Sequence, residues 1–554
     1  MIEVKLRDPK QIMKLSKLGS FHQSKLSFLR SFLKEFKDWK YNRDLFNLDE
    51  GGFGRAVYSF SKDRRVYSLV CFANKISDHE RSDRVIATKW DAAFVLYDGI
   101  PTKKDLDRLS NDVPQQEVGR MSYKELTLSR ANKSVRIFEH VVESLSNGKQ
   151  PDKEKLSKVG YLYRTTAVYG SGKFGLADRF RIKNRKEIYG RFRLEMMLVY
   201  LVRQFTFDQV NHIAKHKNSK GAVELDDDIC KNLGIGNSTG LGMAPFIVNH
   251  PALLNNWILA RETALKKIRE IKKVGENDSK IFIDCLKKSL KNVTSWTTDS
   301  DFQNKKIKSL ISDLYKFINF IEKEFSFEED YAFNQIYKWI EKNLRDECIE
   351  YIVSMMMEPY DYITNPLLKS MSADEDKYFT IPTNKNVSDL RNILEDNYSD
   401  ILKIDFEKKE SNQNFWFISK NIEEPRLADR YLDKGSELEQ PLAIARDICK
   451  LYTRISNQKN SLKIGKFLIE NNDLRHVVRR AFIVEKFPYA EIQDNTIGSN
   501  LMPIDMLRLK LSFFGAVKFD PRSDKWLRIN MFQGAPLPKN LKKFDDYWVY
   551  NSLN

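Results

Sequence analysis

The fold is decided first by two runs of β-branched and aromatic residues, Ala56-Val57-Tyr58-Ser59-Phe60 and Val66-Tyr67-Ser68-Leu69-Val70-Cys71-Phe72. The polar residues 61–65 join the two runs, and this arrangement predicts a β-hairpin. A third strand is predicted from Ala92 to Leu96, because the turn-forming residues 98–101 follow it. The N-terminal part of the chain is therefore expected to contain a small antiparallel sheet.

Most of the remaining sequence has helical spacing. Apolar residues recur every three or four positions over 125–145, and helices are also predicted over 195–215 and 253–273. A second hairpin is predicted near the C-terminus, with strands at 515–519 and 526–532. Because strands and helices are segregated rather than alternating, the predicted fold class is α+β, predominantly helical, with small antiparallel sheets or hairpins near the N- and C-terminal ends.

A chain of 554 residues is too long for one ordinary hydrophobic core. We expect an N-terminal α+β domain over 1–275 that carries the Gly-rich loops, and a C-terminal α+β domain over 331–554. Between them, residues 276–330 are polar and rich in lysine but still periodic. This segment is predicted to be a polar helical connector.

The composition is strongly basic, with 93 basic and 76 acidic residues and a formal net charge of +17. Such a charge permits a nucleic-acid partner. The basic residues are, however, spread along the chain and mixed with acidic ones. Because no basic stripe with interleaved aromatic residues stands out, a nucleic-acid partner is not favoured.

The spacing of the cysteines and the length of the apolar runs predict where in the cell the protein is located. Five cysteines lie far apart without paired spacing, which predicts reduced thiols and a cytoplasmic protein. The N-terminus has no apolar signal core, and no apolar run approaches the ~20 residues that a membrane span needs. No membrane partner is expected. The sequence assigns no cofactor and leaves homo-oligomerisation open.

Two motifs are better explained by structure than by chemistry. Residues 48–54 resemble the glycine loop that covers phosphates in protein kinases, but the catalytic-loop and D-F-G motifs are missing. A tight turn that opens a hairpin is predicted there instead. His212 and His216 have the i, i+4 spacing of helical metal ligands. No third ligand is evident, so no metal site is predicted.

Glycine is sparse, at 23 residues in 554, yet it clusters in two places. We call residues 170–175 the first glycine run and residues 234–242 the second glycine run. Both contain hydroxyl side chains, and clustered glycines let backbone N–H groups approach a ligand closely. Successive N–H groups of this kind can form a concave site for a phosphate or a carboxylate. The alternative for each run is an ordinary turn or surface loop.

The predicted site combines both runs with nearby cations. Arg130 and Lys133 are spaced three residues apart on the helix predicted over 125–145, so they are expected to share one cationic face. The catalytic candidates are His250, which lies just beyond the second run, and Lys173 in the first run. The residues predicted to bind the anion are Arg130, Lys133, Arg164, Ser171, Gly172, Gly236, Asn237, Ser238, Thr239 and Gly240.

The main functional prediction is a cytoplasmic enzyme that binds a small anionic metabolite at its Gly-rich loops. The anion would be a carboxylate or a phosphate, and both glycine runs would have to face one pocket. Two alternatives are a basic nucleic-acid-binding protein and a helical scaffold whose long polar helices bind partners.

Overall fold

The computed structural model of this chain describes residues 2–14, 16–77, 90–111, 122–169, 184–189, 192–237, 250–296, 301–368, 379–405, 416–419, 422–427, 436–440, 445–492, 508, 511–515, 518–519, 529–543 and 549–550. Its contacts divide the chain into two compact units. The helix-rich unit comprises Met1–Leu26, Leu241–Phe513 and Ser523–Trp526, and the sheet unit comprises Ser27–Gly240, Phe514–Arg522 and Leu527–Asn554. The predicted domain boundaries after residues 275 and 330 stay a prediction.

The described strands and α-helices are numbered here in chain order. The strands are β1 (Lys40–Leu48), β2 (Gly54–Lys62), β3 (Arg65–Ala73), β4 (Ala92–Asp98), β5 (Glu125–Lys133), β6 (Tyr161–Tyr169), β7 (Gly234–Asn237), β8 (Trp416–Ser419), β9 (Ile422–Leu427), β10 (Ser436–Gln440), β11 (Lys518–Phe519) and β12 (Ile529–Met531). The helices are α1 (Pro9–Ile12), α2 (Phe28–Phe36), α3 (Lys103–Asn111), α4 (Phe138–Ser146), α5 (Lys153–Val159), α6 (Lys186–Tyr189), α7 (Arg193–Lys217), α8 (Asp227–Lys231), α9 (Pro251–Arg269), α10 (Glu276–Thr294), α11 (Asp301–Lys323), α12 (Ala332–Asn343), α13 (Asp346–Met356), α14 (Asp361–Leu368), α15 (Val387–Tyr398), α16 (Ala445–Ser456), α17 (Ile464–Glu470) and α18 (Arg475–Lys486).

The sheet unit is built on one mixed sheet of nine strands. Their spatial order is β1-β2-β3-β4-β5-β6-β7-β12-β11. All neighbouring strands are antiparallel except β6 and β7, which run parallel. The C-terminal strand β12 therefore extends a sheet that begins at residue 40.

This sheet overturns the predicted arrangement of strands. Both predicted hairpins are present, since β2 pairs with β3 and β11 pairs with β12. The expectation of small antiparallel sheets or hairpins near the two ends is wrong, because these hairpins belong to the same nine-stranded sheet. A hairpin leaves unpaired N–H and C=O groups along its edges, and here further strands pair with those edges. The coarse α+β content is observed.

The single helix predicted over 125–145 is also wrong. The structure has β5 there, followed by α4. β5 lies between β4 and β6, and nearly all of its residues are buried. A central strand with two covered faces loses the strict apolar–polar alternation that marks an exposed strand. The apolar spacing of three or four residues arises because a buried strand is joined to a helix.

Helix α7 packs across the sheet and contacts strands β2 to β7. Its residues from Leu194 to Val202 are all buried, and all of them except Glu195 are apolar or aromatic. The helix predicted over 195–215 is confirmed. The predicted tight turn before β2 is also confirmed: the Gly52 amide donates to the carbonyl of Asp49 at 2.9 Å, and Gly52 has φ of +79°.

One buried cation of α7 holds the end of the sheet in place. Arg203 is only 1% exposed, and the structure gives its guanidinium no carboxylate partner among the described residues. Its N–H groups instead donate to five carbonyl oxygens at 2.7–3.2 Å, those of Cys230, Lys231, Leu233, Ala535 and Pro536. Burial lowers the pKa of Arg203 to about 10, so the side chain is still protonated at neutral pH.

The helix-rich unit is organised by its N-terminal segment. Residues 20–25 have no regular secondary structure, yet all six are buried although most of them are polar. Their side chains pair with acceptors on and just after α13. The contacts are Ser20 Oγ to Ser354 Oγ at 3.0 Å, His22 Nε2 to Glu358 Oε1 at 2.7 Å, and Lys25 Nζ to Asp361 Oδ1 at 2.5 Å. Since buried polar groups need partners, these pairs fix the path of the segment.

A buried ion cluster begins this series of contacts. Arg7 donates to Glu262 of α9 at 2.8 Å and to Glu350 of α13 at 2.6 Å. Arg261 lies 3.2 Å from Glu262 and 3.5 Å from Glu350. All four side chains are at most 8% exposed. Two cations and two carboxylates thus compensate each other away from water.

A hydrophobic core in the helix-rich unit is formed almost entirely by residues 381–490. It is built mainly from α15, α16, α17 and α18. A buried polar triad accompanies it: Arg480 donates to Glu491 at 2.7 and 2.8 Å, and the Tyr398 hydroxyl donates to Glu491 at 2.9 Å. Among the described helices of the chain, none is long and apolar enough to cross a lipid bilayer.

We expect Arg203→Met to lower the free energy of unfolding by at least about 3 kcal/mol, because several buried carbonyls lose a charged donor. Urea denaturation followed by circular dichroism measures the change. Arg55→Gln is the matched control, since it removes an arginine that pairs with Asp107 at the surface of the same unit. The control should change stability by less than about 1 kcal/mol. Equal effects of the two variants would contradict the role of Arg203.

The ion cluster should make stability depend on acid pH. Burial raises the pKa of Glu262, but the charge and hydrogen bonds of Arg7 outweigh it and hold this pKa below its ordinary value of 4.5. The folded pKa is below the unfolded one, so the stabilisation is present above about pH 4.5 and is lost as the pH falls through the folded pKa. Glu262→Gln should therefore be destabilised relative to the unmodified protein at pH 7, and the difference should shrink towards pH 3.

Urea midpoints at pH 7, 5, 4 and 3 would measure this convergence. Glu322→Gln is the control, because Glu322 pairs with Lys287 at the surface of the same unit. Its effect should stay below about 1 kcal/mol at every pH. A constant difference between Glu262→Gln and the unmodified protein over this range would exclude the proposed titration.

Candidate anion-binding site

The first glycine run begins at the carboxyl end of β6, whereas the second glycine run contains β7 and extends beyond its carboxyl end in sequence. β6 ends at Tyr169, directly before the first run, and β7 consists of the first four residues of the second run. The strands are parallel neighbours, with Thr165 opposite Asn237. Carboxyl ends of parallel strands meet at one edge of a sheet, and ligands of open α/β sheets bind outside such ends. We call this edge of β6 and β7 the carboxyl edge.

Two of the predicted arginines share one face of the sheet beside the carboxyl edge. Arg164 of β6 is paired with Asn132 of β5 on one side and with Gly236 of β7 on the other. Residues i and i+2 of a strand share a face, so Arg130 lies on the same face as Asn132 and Arg164. Arg130 pairs with Ala167, which is nearer to the end of β6. Arg164 is 4% exposed, and Arg130 is half-buried.

Trp90 and Asp91, which precede β4, contact residues of β5 next to these arginines. The Arg130 guanidinium lies over the Trp90 ring, 5.5 Å from its centroid. The Asp91 amide donates to Asn132 Oδ1 at 3.1 Å, and the Lys133 amide donates to Asp91 Oδ2 at 2.9 Å. The Trp90 indole nitrogen is buried and has no hydrogen-bond partner within the described chain.

The sequence analysis did not identify Trp90 and Asp91. The available signal was their position directly before the strand predicted from Ala92. At a strand end, a side chain can project past the edge of the sheet, and an aromatic ring with a polar edge is suited to contact a ligand there.

Lys133 does not lie with Arg130. Residues three apart on a strand point to opposite faces, whereas the predicted helix would have placed them together. Lys133 is 9% exposed, and its ammonium lies 4.4 Å from the centroid of the Phe138 ring and 5.3 Å from that of Phe53. Phe138 packs edge-on against Tyr163, which lies opposite Lys133 in the sheet. The predicted shared cationic face of Arg130 and Lys133 is therefore wrong.

The first glycines of the second run belong to a strand and not to a loop. A Cβ atom on Gly236 would lie 2.6 Å from Cδ1 of the Tyr161 ring, and one on Gly234 would lie 2.5 Å from the carbonyl oxygen of Met531. Both positions thus require glycine for close packing. Asn237 ends β7, where it pairs with Thr165 and with Ile529 of β12.

The other predicted site residues divide into two groups. His250 is the N-cap of α9 and belongs to the helix-rich unit, whereas Arg130 and Arg164 belong to the sheet unit. Six predicted residues lie outside the described residues: Ser171, Gly172, Lys173, Ser238, Thr239 and Gly240. Their predicted roles stay predictions.

Other reactive groups of the sheet unit have structural partners. Carbonyl oxygens accept from both helical histidines: that of Asp49 lies 2.8 Å from His212 Nε2, and that of His212 lies 2.9 Å from His216 Nδ1. In the described part of the chain, no three His, Cys, Asp or Glu side chains cluster as metal ligands. Burial raises the pKa of Cys230, which precedes β7, to about 12, so its thiol is protonated at neutral pH and is a poor nucleophile.

Similarity to known proteins does not indicate a function for this chain, so its function is proposed from the geometry described above. No protein-family model matches the chain, and no curated protein or solved structure shows significant similarity to it.

A double-mutant cycle tests the packing role of the strand glycine. We expect Gly236→Ala to lower the free energy of unfolding by about 1–3 kcal/mol, because the new methyl group overpacks against the Tyr161 ring. In a Tyr161→Ala background the ring is gone, so the same substitution should cost less than about 0.5 kcal/mol. Urea denaturation of the four proteins gives the coupling energy. Additive effects would show that the ring is not the constraint.

Proposed function

We propose that the chain is an enzyme of a small anionic metabolite, and that the carboxylate or phosphate of this metabolite binds at the carboxyl edge. One observation carries the proposal. The first glycine run follows β6, the second run contains the parallel neighbour β7, and Arg130 and Arg164 lie on one face of the sheet beside these strands.

The chemistry of this face suits an anion. A guanidinium offers parallel N–H donors that match two oxygens of a carboxylate or phosphate. Arg130 is the better candidate for direct contact, because it is half-buried whereas Arg164 is buried, and because it lies nearer to the end of β6. Arg164 is buried, so its charge acts where the effective dielectric constant is lower than in water. The buried Trp90 indole N–H is a further donor beside Arg130.

The glycine runs would supply the remaining donors. Chain segments that leave the carboxyl ends of β6 and β7 with several glycines can direct backbone N–H groups at one anion. In this proposal, Ser171 and Ser238 add hydroxyl donors, and Lys173 adds a cation that can move a proton or stabilise developing negative charge. Lys173 is preferred to His250 as the catalytic group, because it is in the same unit as the arginines.

Arg130 and Lys133 provide a matched pair of variants, since they are cations on one strand that lie on opposite faces. Arg130→Gln should weaken binding of the anion about tenfold or more, because a charge-assisted hydrogen bond is lost. Lys133→Gln should leave anion affinity unchanged but lower the free energy of unfolding by about 1–2 kcal/mol, because two cation–π contacts are lost. Titration calorimetry with phosphate, pyrophosphate and small di- and tricarboxylates measures affinity, and urea denaturation measures stability.

The reverse pattern, in which Lys133→Gln loses anion binding and Arg130→Gln does not, would refute the proposed site. The enzymatic part is tested separately by incubating the protein with a mixture of anionic metabolites and following each compound by mass spectrometry. A compound consumed by the unmodified protein should persist with Lys173→Ala. Consumption at the same rate by Lys173→Ala would remove Lys173 from the reaction while leaving the binding result intact.

A further inference from the structure

The helix-rich unit has a basic surface on α11 that the proposed enzyme site does not use. An open groove of about 410 Å³ is lined by Asp301, Asn304, Lys305, Lys308, Ser309, Ser312 and Arg345. Six of these residues follow the i, i+3, i+4 spacing of one helix face. Arg345 precedes α13 and closes the groove from the side. The lining thus contains three cations, one carboxylate and several neutral hydrogen-bonding groups.

The three cations that line the groove differ in the contacts that their side chains make. Arg345 is anchored, because its Nη1 donates to the Ser309 carbonyl at 3.1 Å and lies 3.6 Å from Asp313 Oδ1. Its side chain is nevertheless 57% exposed. Lys305 and Lys308 are exposed and make no ion pair with any described residue. By contrast, the neighbouring Lys306 pairs with Glu347. The groove therefore combines two exposed lysines and a positioned guanidinium with a single lining carboxylate, that of Asp301.

The same helix face continues with an aromatic residue. Tyr315 is seven residues after Lys308 and three after Ser312, so it lies on the groove side of α11, and it is 56% exposed. Lys316 follows it, with Nζ donating to the Asn343 carbonyl at 2.9 Å. From Lys305 to Tyr315 the face runs about 15 Å along the helix axis. The α11 surface therefore combines basic side chains, which can contact phosphate groups, with an exposed aromatic ring, which can stack on another ring.

We propose that this face of α11 binds the phosphodiester backbone of a single-stranded nucleic acid. Lys305, Lys308 and Arg345 contact successive phosphates, and the Tyr315 ring stacks on a base. Charge complementarity selects the partner, because the three lining cations outnumber the one lining carboxylate and match a chain of regularly spaced phosphates. An exposed aromatic ring beside cations is the combination by which proteins bind single strands without reading their sequence. The open shape of the groove suits a strand that passes through it.

Fluorescence anisotropy with a labelled 20-mer of uridine tests this directly over a range of salt concentrations. Lys305→Gln/Lys308→Gln should raise Kd about tenfold near 0.15 M salt and lower the slope of log Kd against log salt by about 1.4, as expected for two lost phosphate contacts on a single strand. Tyr315→Ala should raise Kd about fivefold or more, whereas Tyr315→Phe should bind as the unmodified protein does, because stacking needs the ring and not the hydroxyl.

The matched control is Lys103→Gln/Lys104→Gln on α3, which removes the same charge from exposed positions of the sheet unit. It should change neither Kd nor the salt slope by more than a small factor. Thermal melting confirms that each variant is folded. If the control weakens binding as much as Lys305→Gln/Lys308→Gln does, binding reflects net charge and the proposal fails.

Two further probes separate other sources of phosphate. Inorganic phosphate at millimolar concentration should not displace the oligonucleotide, and vesicles of phosphatidylserine and phosphatidylcholine should not sediment the protein in a manner that depends on Lys305 and Lys308. Lysine-dependent sedimentation without oligonucleotide binding would replace the proposal with a membrane surface. Complete displacement by inorganic phosphate would replace it with a small phosphorylated ligand.

Discussion

The sheet unit depends on a buried guanidinium that donates to five backbone carbonyl oxygens and has no carboxylate partner within the described part of the chain. Arg203 receives these oxygens from two places, residues 230–233 before β7 and residues 535–536 after β12. Because α7 carries the arginine and packs on the sheet, these bonds fix the start of β7 and the C-terminal segment against one helix. A lysine has three donors on a single nitrogen and cannot reach five acceptors in this way. The nine-stranded sheet is completed here, since β7 pairs with β12.

The position of β7 determines what the sheet can present to a ligand. Without β7, the sheet would end at β6 and have only antiparallel neighbours, whose carboxyl ends alternate between opposite edges. With β7 beside it, β6 has a parallel partner, so the carboxyl ends of both strands point towards the same edge of the sheet. In sequence, the first glycine run follows β6, and the second glycine run begins within β7. Arg203 fixes the start of β7, and β7 runs parallel to β6. The proposed anion site at the carboxyl edge therefore depends on this one arginine.

The sequence predicts those helices and hairpins whose pattern of apolar and polar residues lies within one short segment. The hairpin of β2 and β3 has alternating β-branched and aromatic residues around a polar turn, and α7 has a long apolar run, so both could be predicted. The edge strand β1 was missed, because its residues are mostly polar and largely exposed. The pairing of β7 with β12 joins residues almost 300 positions apart, and no short-range pattern encodes it.

The candidate site was predicted only in part, because the residue types could be chosen from the sequence but their relative positions could not. Arg164 precedes the first glycine run in sequence, and in the structure it pairs with Gly236 of β7. Arg130 was chosen because of a helical spacing, yet it lies beside Arg164 because β5 is the neighbouring strand. The same error placed Lys133 with Arg130, although a strand puts them on opposite faces. Side-chain direction follows from the type of secondary structure, so one wrong assignment of helix or strand rearranges a predicted site even where every residue type is suitable.

The two basic regions differ in the surroundings of their charges, and this difference bears on the ligands they suit. Beside the carboxyl edge, Arg164 is buried and Arg130 stacks on Trp90, so the charges have fixed positions before any ligand arrives. Such preorganisation favours one small anion of defined shape. On α11, Lys305 and Lys308 are exposed, and the long stem of a lysine side chain can adapt to a chain of phosphates whose conformation varies. The two proposals therefore differ in the kind of basic group they use: buried or stacked arginines in the anion site, and exposed lysines on α11.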